Sequence, residues 1–457
     1  MIPKDTPAYE YLTKIMKGLP GFRELHPTTK QLLSARALRS VGQGTLVVDF
    51  ALYLHALQWS AVAIGLLLSA SGIFGAALSL LVGTSSDRLR RKPFLLVYET
   101  IALLASLAAL LTSQSAILAG AAILGGYGRG ATGAAGPFSP AEQAWLAEEV
   151  APQQRGRVYS LNTALGFFGM GLGAFIAIAP ALWNALLPGA LAFRPLFIVV
   201  ALSAISNLVL LSRAQENYQG TPELKTSQAK QSERQVRRQE NHILLKLVSI
   251  NAFNGIAVGL TGPLISYWFL LRYGVGPASI APVMAITFLI TGISSLLTGR
   301  LTQKIGIIRS VIWGRSVGLV LLVLLPLMPV YWLAGLVYLL RSAFNRGTAG
   351  ARQALAVSLV RDQRRGLATS LNAVSFQIPQ AAGPGLAGAL LDAGQLALPF
   401  YAAAVLQAVY LLLYQHAFRE HEPTREDEIT DSDGKNIRGR EQIQAGGSDN
   451  KIWGAHD

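Results

Sequence analysis

Long apolar runs alternate with short polar turns along most of the chain. Six runs of the length that crosses a bilayer as a helix fall near 37–57, 61–83, 93–113, 115–139, 158–185 and 193–212. Six more fall near 244–271, 278–299, 308–328, 331–357, 367–391 and 397–418. The pattern predicts an all-α membrane protein with twelve transmembrane helices in two sixes (37–212 and 244–418). Between them, 213–243 is charged and lacks apolar periodicity, so it reads as a linker. Residues 1–36 read as a short amphipathic lead-in, and 419–457 lack the apolar residues needed to fold.

Composition agrees with lipid as the main solvent. Charged residues make up 14% of the chain, against about 25% in soluble domains. The net charge of +14 is not a nucleic-acid footprint, because Lys and Arg cluster in the turns between apolar runs. With both termini inside, the inner segments collect about thirty basic residues, Arg155, Arg157, Arg361, Arg364 and Arg365 among them, and the outer loops hold Arg194 and Arg272. Both ends are therefore expected in the cytoplasm of a cell bounded by an inner membrane. Cysteine is absent, which excludes disulfides and thiolate chemistry. No histidine pair has metal-ligand spacing and no nucleophile motif occurs, so neither enzyme activity nor a cofactor is expected.

One motif tests that reading. Gly128-Arg129-Gly130-Ala131-Thr132-Gly133 spells G-x-G-x-x-G, the dinucleotide fingerprint, which needs a strand before it and a ribose-binding acid after it. It lies inside the fourth apolar run without either. Small residues such as Gly126 and Gly130 are expected to let membrane helices approach closely.

The halves repeat. Gln143–Asn162 (QAWLAEEVAPQQRGRVYSLN) matches Gln353–Asn372 (QALAVSLVRDQRRGLATSLN), and Gly83 pairs with Gly299 in a second alignment. Between the second and third runs stand Gly83, Asp87, Arg88, Arg91 and Lys92, with Arg90 where a glycine is usual. This resembles the signature of the major facilitator superfamily, G-x-x-x-D-[RK]-x-G-[RK]-[RK]. The second copy keeps Gly299, Lys304 and Gly306, with Gln303 in place of the acid. The resemblance implies two six-helix bundles related by a pseudo-twofold axis, rocking about a midplane site in secondary active transport. It also implies that Arg129 is the family's fourth-span arginine. Gly83, Asp87, Arg88, Arg91 and Glu148 are then expected to form a conformational lock, with Asp87 near the N-terminus of span three.

Ionisable groups inside spans cost about 2.5–3.5 kcal/mol each on insertion scales and default to functional roles. Asp49 on span one, with Arg129 as partner, is expected to respond to protons. Arg341, Asn345 and Arg346 on span ten are expected to meet the substrate. Glu142 and Arg352 occupy equivalent repeat positions; either they pair across the cleft as a gate, or each finds partners in its own bundle. Glu99 and Arg315, also equivalent, are expected to support their bundles. The functional expectation is proton-coupled efflux of a small organic compound or drug by a monomer, with H+ as coupling ion. Organic-anion transport through an Arg-rich cavity and a non-transporting receptor or assembly factor are the alternatives.

Overall fold

The computed structural model describes residues 25–86, 90–128, 136–150, 155–216, 230–348, 352 and 365–418. Those residues are helical with short turns and contain no strand. The first half comprises α1 (Pro27–Ala56), α2 (Ala61–Ser86), α3 (Arg91–Leu111), α4 (Ser115–Gly125), α5 (Ser139–Glu149), α6 (Arg155–Ile176) and α7 (Leu196–Arg213). The second comprises α8 (Lys230–Thr261), α9 (Ile265–Tyr273), α10 (Pro277–Ile305), α11 (Ile307–Leu324), α12 (Tyr331–Gly347), α13 (Arg365–Asp392) and α14 (Leu398–Phe418). We call the end carrying turns 57–60, 274–276 and 393–397 distal, and the opposite end proximal.

Helix boundaries correct the expected spans in four places. The first helix starts at Pro27, a favourable first-turn residue, and buries Thr28, Thr29, Leu32, Leu33, Arg36 and Arg39. Much of the expected lead-in from 27 to 36 is therefore packed. The expected linker is helical from Lys230 onward. Span seven breaks between α8 and α9 at Gly262 and Pro263, where proline supplies no amide to continue the ladder. Span four also breaks: Gly126 (φ 74°) and Gly128 (φ 75°) take left-handed backbone that ends α4. Gly128, the first glycine of the G-x-G-x-x-G motif, thus lies past the end of α4, and residues 129–133 of the motif lie outside the described residues.

Packing follows the repeat. Within the halves, α1 packs on α6 and α7, and α3 on α7; equivalently α8 packs on α13 and α14, and α11 on α14. The halves meet along two seams, α2 against α13 and α6 against α10, which the pseudo-twofold exchanges. Leu66, Ile73, Leu104, Leu336 and Leu412 are exposed, while charged groups turn inward. Among the described residues, eight helices are long and apolar enough to cross a membrane.

The α2–α13 seam is closed at its distal end by backbone contact and one carboxylate. A Cβ on Gly65 would stand 2.2 Å from the Pro384 carbonyl oxygen, and one on Gly388 would stand 2.3 Å from that of Ala61. The Gly385 amide donates to Ser69 Oγ at 2.9 Å. The Asp392 carboxylate accepts from the Ala61 and Val62 amides at 2.9 and 3.1 Å, so it caps a helix N-terminus on the other half. Asp392→Asn removes the charge from that cap. Spin labels on Leu186→Cys and Gln395→Cys, in distal turns of the two halves, are expected to report a larger population of long distances in this variant. An unchanged distribution would remove Asp392 from the distal closure.

Candidate functional site

In the first half, two arginines meet two acids away from water. Arg39 of α1 donates through Nε to Glu99 of α3 at 2.6 Å and through Nη1 to Glu142 of α5. All three are buried, and the Arg39 guanidinium lies 5.6 Å from the Tyr98 ring centroid. Arg36, one turn earlier, is buried close enough to interact with Glu142. Two positive and two negative charges sum to zero here. A cavity of about 40 Å³ beside the cluster is lined by Arg39, Gln43, Glu99, Tyr127, Ser203 and Asn207, with room and polar partners for water.

The second half also buries arginines but gives them no acid among the described residues. Arg315 of α11 donates to Asn254 of α8 at 2.5 Å and lies 4.8 Å from the Tyr410 ring centroid. Arg341 of α12 donates to Thr261, at the break in span seven, at 3.3 Å. Arg346 donates to the Tyr338 hydroxyl at 3.0 Å and lies 5.7 Å from the Phe288 ring centroid. Arg352 lies 6.0 Å from the Phe376 ring centroid. Like-charge repulsion links Arg315 to Arg341 and Arg352, and Arg341 to Arg346. Between 244 and 418 the only acids are Asp362, outside the described residues, and Asp392, at the distal cap. Aromatic faces stabilise such cations by about 0.5–2 kcal/mol but leave the charge in place.

Phe288 shares a stripe of α10 with Ala285, Leu289 and Gly292, which meet α6 of the other half. Arg346 therefore sits beside the seam between halves, and Arg341 beside a helix break. Interrupted helices near a repeat interface are where transporters expose backbone groups to solutes.

The other expected site residues divide. Glu142 is paired with Arg39 in its own half, not with Arg352 across a cleft, because α1 brings a guanidinium to it directly. Asn345 lies against Gly318 of α11, inside its own half. Asp49 shares a stripe of α1 with Gly42, which abuts Val200 and Ser203 of α7, and with Tyr53, which packs on Phe193 and Phe197. That spacing turns it toward α7; both its oxygens are buried without a hydrogen-bond partner among the described residues. Its expected partner Arg129 lies outside the described residues, as do Asp87 and Arg88; Gly83 falls in the last turns of α2. Arg91 pairs with Glu148, both within the first half. Glu216, which lay in the expected linker, accepts from the Arg91 and Lys92 amides at 2.6 and 3.1 Å and caps α3. Its one sequence signal is an acid directly after a basic helix end.

With this geometry in place, comparison with known proteins is informative. The profile described as Major Facilitator Superfamily matches residues 32–340 and again 247–442. The chain belongs to that superfamily. No curated protein sequence is detectably similar to it. Among solved structures of the superfamily fold, the nucleoside transporter NupG superposes with TM-score 0.65 at 13% identity, covering 86% of this chain and 100% of that one. A bacterial homologue of the human lysosomal transporter Spinster, inward-facing and unoccupied, gives 0.65 at 15% identity, covering 86% and 96%. The human organic anion transporter MFSD10 (TETRAN) gives 0.59 at 14% identity, covering 85% and 99%. These likenesses show the superfamily fold.

The two arginine environments differ in a way that stability can read. Removing one partner of a buried ion pair costs about 3–5 kcal/mol, because the other charge is left alone. Arg39→Met strands Glu99 and Glu142 and is expected to lower the stability of the purified protein by that amount. Arg341→Met strands no acid and is expected to raise the apparent melting temperature. Thermal unfolding in detergent reads both variants; a similar loss in each would contradict the charge imbalance.

Proposed function

We propose that this superfamily member is a secondary transporter of organic anions, working by alternating access of the seam between its halves. The observation that carries the reading is the set of guanidiniums, buried in Arg315 and Arg341 and half-buried in Arg346 and Arg352, with no carboxylate against them among the described residues. An uncompensated positive site in a low-dielectric interior favours an anionic solute by several kcal/mol over a neutral one. A lipophilic cation, the solute of many drug-efflux readings, meets repulsion there. Arg341 and Arg346 are the groups we assign to the solute, since they lie beside the span-seven break and the seam.

Asp49 supports proton coupling: its carboxylate is buried and has no donor among the described residues, so its charge state is free to change with the cycle. The distribution of Lys and Arg supports an inner-membrane protein with both termini cytoplasmic. The distal end then faces outward, and its sealed α2–α13 seam fits an inward-facing form.

Uptake of labelled organic anions, cations and neutral solutes into proteoliposomes tests the proposal. Anions are expected to accumulate, and Arg341→Ala and Arg346→Ala are each expected to weaken their binding at least about tenfold. Accumulation of cations with the parent's affinity retained in both variants would refute it. Asp49→Asn is expected to abolish the response of uptake to a pH gradient; a preserved response takes the proton role away from Asp49.

A further inference from the structure

The internal repeat maps the neutral cluster of the first half onto a cationic cluster of the second. Arg36, Arg39, Glu99 and Glu142 are followed 215, 215, 216 and 210 residues later by Asn251, Asn254, Arg315 and Arg352. The contacts repeat with the residues. Arg39 on span one binds Glu99 on span three at 2.6 Å; Asn254 on span seven binds Arg315 on span nine at 2.5 Å. Arg39 also holds Glu142 on span four; at the matching place Arg352, on span ten, lies within electrostatic range of Arg315. Asn251 donates to Ser375 of α13 at 3.2 Å. Charges inside the first set sum to zero, and those inside the second sum to +2.

The second set is also short of acceptors. Arg315 is 1% exposed and Asn254 0%. Among the described residues, Arg315 Nε, Asn254 Nδ2 and Arg352 Nε are buried donors with no hydrogen-bond partner, and the Tyr410 hydroxyl is unpartnered as well. In the first half, a cation joins two carboxylates. In the second, two cations lack whatever would join them. A guanidinium presents parallel N–H groups that match the oxygens of a phosphate or sulfate group.

We infer that Arg315, Arg352 and Asn254 form a binding site for a divalent oxyanion of the phosphate or sulfate type, free or as the charged group of a larger solute. The site lies in the core of the second half, among spans seven, nine and ten. It is separate from the assignment of Arg341 and Arg346 to the solute. Two negative charges bring the second set to the same zero sum as the first. The inference does not rest on the transport reading, since a resident anion satisfies it as fully as a moving one.

The test follows the melting of the full-length protein in detergent at mildly alkaline pH. Sodium sulfate, sodium phosphate or glycerol 3-phosphate replaces sodium acetate at constant ionic strength. The divalent anions are expected to stabilise the protein saturably and acetate is not. R315Q and R352Q are each expected to raise the sulfate midpoint at least about tenfold. N254D places a carboxylate against the Arg315 guanidinium; it is expected to stabilise the anion-free protein and abolish the sulfate response, and it keeps the test decisive if R315Q fails to fold.

Equal stabilisation by acetate and sulfate in the parent, or a full sulfate response in N254D, overturns the site. Uptake of labelled phosphate or glycerol 3-phosphate into proteoliposomes identifies the source: uptake means the bound group travels, and binding without uptake means it is resident, and both support the site. A parent that accumulates organic monoanions yet ignores sulfate removes the site and leaves the transport reading standing. A sulfate response without uptake of any anion does the reverse.

Discussion

Charge taken out of water has to be balanced, and the interior of this protein is organised around that constraint. The idealised cost of moving one ion into a low-dielectric medium is of order 20 kcal/mol, and several kcal/mol remain after relaxation. No sum of helix–helix packing in lipid offsets that lightly, because apolar side chains gain little by leaving a solvent as apolar as themselves. The first half satisfies the constraint internally: Arg39 holds Glu99 and Glu142, with Arg36 beside them. This ties α1, α3 and α5 together, and span four can break at Gly126 and Gly128 while its second helix stays anchored to the bundle through Glu142. The second half has equivalent helices, but among the described residues no acid pairs with its arginines.

Much of the fold was legible in hydropathy, and the failures are instructive. The twelve apolar runs mark the spans, yet among the described residues spans one, four, ten and eleven hold no helix long and apolar enough to cross a membrane. Three of these four spans carry buried charge: Arg36, Arg39 and Asp49 on α1, Glu142 on α5 and Arg341 on α12. The fourth, α13, carries Pro379 and Pro384 and the glycines of the distal seam. A hydropathy window averages over faces, so it loses the helix whose one polar face is paid for by a partner elsewhere in the fold. The start of α1 differs from the expected one for that reason, since Lys30 and Arg36 look like a solvated lead-in until Arg36 is seen buried beside Glu142.

The candidate site was legible in kind more than in pairing. That Glu142, Arg341, Arg346 and Arg352 sit inside spans follows from the sequence, but their partners depend on which helices touch. Repeat equivalence made Glu142 and Arg352 look like a cross-cleft pair of opposite sign. In the structure they are equivalent because each occupies the same place in its own bundle. Glu216 was hidden differently: its role depends on the end of α7 returning to the start of α3, a proximity that no periodicity encodes. One signal did stand in the sequence, namely the scarcity of acids between 244 and 418.

Duplication followed by divergence explains how such an imbalance arises without loss of the fold. The repeat preserves backbone geometry, so a side chain can change sign at an equivalent position while helix packing is kept. In the first half the changes settle into a self-contained ionic cluster, suited to a rigid body that rocks. In the second, Asn251 and Asn254 stand where Arg36 and Arg39 stand, and Arg315 and Arg352 stand where the acids do. On the inference of an oxyanion site, the electrostatics of that bundle are completed from outside the chain. A moving anion that completes them stabilises the conformation in which it is enclosed, and its departure restores the repulsion among Arg315, Arg341, Arg346 and Arg352. Differential binding of that kind is what a ligand needs in order to shift a two-state equilibrium, and under the proposed anion reading the driving asymmetry of the cycle lies in the second half while the first serves as its neutral counterpart.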